Sequence, residues 1–149
     1  MEAYLLNLVI LISIYSILAS TLNFIMGYAG IYSLAHAVFF GVGAYAGTFV
    51  ATHFSASIFL TLPAAMLAGA VLSLILALPA LRVRGEYFVA ASLGLQVLAV
   101  TIFSEWKSVT GGIGGLIGIP PLDIVGLEIF KPNQFVFVTV IALVIVLFI

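Results

Sequence analysis

From Ala3 to Leu81 the chain contains no Asp, Glu, Lys or Arg, and this run ends abruptly at RVRGE, Arg82 to Glu86. A soluble domain needs a charged surface, and typical chains are roughly a quarter charged. Here charged residues make up 6% of 149 and hydrophobic residues 65%. The solvent for most of these side chains is therefore lipid, and the few charges mark where the chain leaves it.

Composition excludes several classes of function. The formal net charge of −1 gives no basis for nucleic-acid binding, which needs clustered Lys and Arg. The absence of Cys removes disulfides, thiolate metal sites and a cysteine nucleophile. The N-terminus has Glu2, no basic lead-in and an apolar stretch, Ala3 to Met26, too long for a cleaved signal. It reads as a first transmembrane helix.

Five apolar segments follow in order, residues 4–26, 36–53, 58–81, 87–104 and 135–149. Each span needs roughly 20 apolar residues. A helix satisfies its own backbone hydrogen bonds in lipid, whereas a barrel would show strict alternation; LVILISIYSIL and AGAVLSLILAL do not alternate. The expected fold is all-α, a polytopic transmembrane helical bundle of about five spans. The last segment reaches only about 22 Å at 1.5 Å per residue and stops at Leu147-Phe148-Ile149 without a polar cap. It reads as truncated, making the chain the first part of a longer protein.

Gly27 and Gly30 interrupt the first apolar run, and THFSAS, Thr52 to Ser57, is a short polar turn. The stretch 105–134 holds Glu105, Lys107, Asp123, Glu128 and Lys131, five glycines between Gly111 and Gly118, and Pro120–Pro121. This composition predicts a folded or re-entrant loop rather than one helix. Arg82 and Arg84 occupy a short loop, so charge density puts RVRGE in the cytoplasm and, by parity, THFSAS, the Gly-rich loop and the N-terminus outside.

Four motifs are candidates for function, each with a plainer reading beside it. Gly43 and Gly47 are four residues apart on one helix face, and with Gly41 and the alanines 37, 44 and 51 they make a small-residue contact surface. That surface suits a central helix beside a translocation path, or ordinary membrane-helix packing. GVGAYA also fits a loose dinucleotide fingerprint, but no soluble strand precedes it. His36 is a lone imidazole near the start of the second segment, suited to a metal or proton-relay role or to bonding a carbonyl near the interface. The amides Asn7, Asn23 and Gln96 line a polar pathway or join helices. Arg82, Arg84, Gly85 and Glu86 form a cytoplasmic loop or a topology anchor. TGGIGGLIGIPP offers bare backbone to a ligand, or is a flexible turn closing an outer mouth. No GxxxxGK[ST], HExxH, TVGYG or intramembrane carboxylate pair is present, so no catalytic constellation and no cofactor site is expected.

LNFIMGYAGIYSLAHAVFFGVGAY (Leu22 to Tyr45), LRVRGEYF (Leu81 to Phe88) and TGGIGGLIGIP (Thr110 to Pro120) together resemble the permease subunits of branched-chain amino acid ATP-binding-cassette importers. The broad family also includes permeases for urea and short amides. The resemblance spans about Ala3 to Pro120. It implies a transport subunit rather than an enzyme, in a bacterial or archaeal cytoplasmic membrane, forming half of a translocation pathway. The partners implied are a second homologous permease, two ATPases, an extracytoplasmic substrate-binding protein and membrane lipid. Asn23, Tyr28, Ser33 and His36, with Gly41, Gly43 and Gly47, are the pathway candidates, and Gly111, Gly112, Gly114 and Gly115 the outer-gate candidates. Ala35 stands where the family usually has Gly before the His, a change expected only to tighten packing. The family's ATPase-coupling helix is expected beyond Ile149, and many members carry a further span before the first one here. Two other readings stay open: a passive channel for a small polar solute, and a truncated fragment that transports nothing.

Overall fold

Apolar runs without backbone partners in their surroundings must close their hydrogen bonds internally, and in the computed structural model they do so as helices. The structure describes residues 2–30, 33–80, 86–124, 127–129 and 132–148. Helix α1 spans Glu2–Phe24, α2 His36–His53, α3 Ile58–Ala80 and α4 Glu86–Glu105. A four-residue α5, Lys107–Thr110, is followed by a 3-10 turn, Gly112–Gly114. Two three-residue extended strands, β1 (Leu122–Ile124) and β2 (Leu127–Ile129), precede α6, Pro132–Phe148. The protein is all-α in character, with long apolar helices of membrane type.

By length and composition, three described helical stretches can cross a membrane: Tyr4–Tyr28, Ile58–Leu76 and Tyr87–Glu105. The other two expected segments, 36–53 and 135–149, lie on the shorter helices α2 and α6. α2 has 18 residues, with a histidine at each end and three glycines. α6 has 17 residues. α2 packs against both α3 and α4, so it needs less apolar surface than a helix surrounded by lipid.

The chain divides into two compact units, one made of Met1–Ile31 with Gly126–Ile149 and the other of Tyr32–Val125. In the first, α1 and α6 pack against each other. α1 does not break at Gly27. It widens into a π-helical turn over Ile25–Ala29 and stops at Gly30, whose φ of 64° closes the helix as its N–H meets the Met26 carbonyl at 3.1 Å.

In the second unit α2 and α3 are antiparallel. A Cβ added at Gly43 would lie 3.8 Å from the Ala65 carbonyl oxygen, and one at Gly47 would lie 3.7 Å from that of Thr61. α2 and α4 run in the same sense: Leu34 meets Ser92 early in both, and Tyr45 meets Phe103 late. Ala35, Val38 and Ala99 form the buried core, with Val42, Leu72, Leu95 and Phe103 packed around it. At the far end the Asp123 N–H donates to the Ala56 carbonyl at 3.0 Å, and Ser57 forms a parallel bridge with Asp123. The THFSAS turn and the end of the Gly-rich stretch therefore share one end of this unit.

The buried hydroxyls among the described residues follow one rule. Ser13, Thr61, Ser92 and Thr110 are buried, and each hydroxyl donates to a carbonyl three or four residues back (Val9, Ser57, Val89 and Trp106). Among the described residues no buried side-chain nitrogen or oxygen lacks a partner. This is the arrangement an apolar solvent demands, because an unpaired polar group there costs several kcal/mol.

Candidate functional site

The candidate residues fall in three places. In the first unit, Asn23 lies exposed on the last turn of α1 and Tyr28 lies in the π-helical turn. Tyr28 is 84% exposed, and its ring lies tilted against that of Phe24 with centroids 4.7 Å apart. π-helical turns recur at functional sites, because the wider winding moves the following side chains off the α-helical register.

In the second unit Ser33 and His36 flank the turn into α2, both half-buried, with His36 the first helical residue. Between them Ala35 is 3% exposed and takes φ −75°, ψ 0°, a conformation open to any residue. Glycine is therefore not needed there, and the methyl group fills core space. The three glycines of α2 do not all meet the same neighbour. Gly43 and Gly47 face Ala65 and Thr61 of α3, where an added Cβ would make ordinary van der Waals contact. Gly41 instead lies under the Phe103 ring of α4, whose Cε2 would stand 2.8 Å from such a Cβ, and the same ring packs on Tyr45 at 5.0 Å.

The Gly-rich stretch is an ordered cap on the end of α4. Thr110, 3% exposed, shares its hydroxyl proton between the carbonyls of Phe103 (2.6 Å) and Trp106 (2.8 Å). The Gly112 N–H donates back to the same hydroxyl at 3.2 Å. The Gly111 and Gly115 N–H groups meet the carbonyls of Lys107 (3.2 Å) and Gly112 (3.1 Å). Gly111 needs its φ of 77°, and its Cβ position is occupied by the Gly115 carbonyl group. Gly115 takes φ 68°, ψ −175°, a region nearly restricted to glycine. The Phe103 carbonyl near the end of α4 is thus met by one hydroxyl held in a tight turn.

Replacing Thr110 by valine keeps the shape and removes the hydroxyl, and should destabilise the protein by about 1–3 kcal/mol, with Thr110→Ser close to wild type. Thermal unfolding in detergent measures this, and a valine variant as stable as the parent would show the cap to be dispensable.

Of the loop candidates, Arg82, Arg84 and Gly85 lie outside the described residues, and Glu86 opens α4. Among the described residues no three His, Cys, Asp or Glu side chains are grouped to hold a metal ion. Sequence reasoning did not single out Ser92, Phe103 or Thr110. Ser92 gives no signal beyond being a hydroxyl in an apolar run; Thr110 had one, its place directly before a glycine pair.

Fold and site define a multi-pass helical membrane protein. The sequence profile of the branched-chain amino acid transport system permease component matches residues 4–149, and the chain belongs to that family. The high-affinity branched-chain amino acid transport system permease protein LivM of Salmonella typhimurium strain LT2 is 30% identical over 121 residues, 81% of this chain and 28% of that protein. Its Escherichia coli K12 counterpart is 31% identical over 115 residues, 77% of this chain and 27% of that protein. The chain thus spans little more than a quarter of the length of these curated relatives. No solved structure matches it.

Proposed function

We propose that this chain is part of a permease subunit of an ATP-driven importer and contributes to half of a translocation pathway for branched-chain amino acids. The observation that carries the reading is the family match over residues 4–149, which takes in every candidate motif. The two LivM relatives support the substrate class. In this reading the subunit performs no chemistry of its own. It works with a second homologous permease, two ATPases and an extracytoplasmic binding protein in a bacterial or archaeal cytoplasmic membrane.

The five segments 4–26, 36–53, 58–81, 87–104 and 135–149 each cross that membrane, with the loop 105–134 outside and Arg82–Glu86 in the cytoplasm. Asn23, Tyr28, Ser33 and His36, with the Gly41, Gly43 and Gly47 helix, line the pathway. Gly111, Gly112, Gly114 and Gly115 shape its outer gate. The cap on α4 supports a gate of fixed shape, since a turn with this many backbone bonds holds its geometry against a passing solute. α2 supports a pathway helix, because it has protein on two sides and carries little bulk at its glycines.

The test is uptake of labelled leucine by the whole transport complex containing this chain, reconstituted in liposomes with its binding protein. Uptake should require ATP on the ATPase side and vanish when the ATPases are left out. Leucine or urea flux that persists without the ATPases would replace the importer with a passive channel.

A further inference from the structure

Apolar contacts hold α2 against α4, but such contacts are non-directional and leave a helix free to slide and rotate. The turn into α2 also has a directional tie. Ser92 of α4 accepts the Leu34 N–H at 3.0 Å, across 58 residues of chain, and donates its own proton to the Val89 carbonyl at 2.8 Å. Ser92 is 5% exposed, so water does not compete for either bond. One step further along, the Ala35 carbonyl receives the Val38 N–H at 2.9 Å, and Ala35 and Val38 both pack into the core beside Ala99. Ser33 and His36 lie one and two residues from the tied amide.

We infer that Ser92 is a positioning residue for the Ser33–His36 turn: its hydroxyl sets the height and rotation at which Ser33 and His36 are presented. The donor side of the hydroxyl is used within α4, which fixes the oxygen lone pair toward Leu34. The consequence for transport rests on the permease reading above; the structural tie does not.

Two measurements on the whole complex test it. Hydrogen exchange at residues 33–36 should rise about tenfold in Ser92→Ala and in Ser92→Cys, which fills the space with a weak acceptor, while the interiors of α2 and α4 stay protected. Ser92→Thr, keeping the hydroxyl, should restore slow exchange. The apparent KM for leucine uptake should rise several-fold in the Ala and Cys variants and return in Thr, with the amount of assembled complex and the maximal rate near wild type. Unchanged exchange at 33–36 in Ser92→Ala overturns the tie, whatever uptake does. Raised exchange with an unchanged KM, in a complex whose parent transports, overturns the positioning role. A parent complex with no ATP-driven uptake counts instead against the permease reading, and exchange alone then decides the tie.

Discussion

Gly111→Ala should open the loop that follows α4. The alanine would sit at φ 77°, which costs a non-glycine residue roughly 1–2 kcal/mol. The larger effect is steric: its Cβ would collide with the backbone carbonyl of Gly115, and no side-chain rotation relieves a backbone collision. The turn must unwind, releasing the Gly112 N–H from Thr110 and loosening the hydroxyl that meets the Phe103 carbonyl. Hydrogen exchange at Gly112 and Gly115 should reach that of exposed loop, and uptake by the complete complex should be lost. Gly114→Ala is the matched control, because nothing lies within 4 Å of its Cβ position. Slow exchange and full uptake in the Gly111 variant would remove the rigid cap from the account.

Gly43→Leu should separate α2 from α3. At Gly43 an alanine methyl fits, 3.8 Å from the Ala65 oxygen and 3.9 Å from its Cβ. A leucine adds three further carbons to a contact already at van der Waals distance. Overpacking of this kind costs typically about 1–3 kcal/mol, and membrane helices rely on close approach because lipid offers no hydrophobic penalty for separation. The expected result is a complex that fails to assemble or to take up substrate, while Gly43→Ala behaves as the parent. Uptake that survived the leucine would show that close packing at this face is not required.

Much of the helical layout was legible from breakers and run lengths. α2 begins at His36 and ends at His53 as expected, because polar residues bound an apolar stretch at both ends. The run Glu105–Asn133 avoids a continuous helix for the reason its composition suggests. At Gly27 local chemistry pointed the wrong way. A glycine costs a helix only about 1 kcal/mol, less than leaving backbone groups unpaired in an apolar setting, so the helix continues by widening rather than breaking. The grouping of Gly41 with Gly43 and Gly47 fails on simple geometry: two residues turn a helix by about 200°, which sends Gly41 to Phe103 and the other two to α3.

By itself the sequence determined the solvent, the helical class and the family, because hydropathy over twenty residues and ordered motifs are properties of the chain read in one dimension. Tertiary structure alone decided which hydroxyls matter. Ser92 looks like any serine in an apolar helix until Leu34, 58 residues away, brings its N–H to the oxygen. Thr110 looks like a residue before a flexible loop until the chain folds back and the α4 carbonyls converge on it. A hydrogen bond is short and directional, so its partner is set by where the backbone returns in space, which no local pattern of residues encodes.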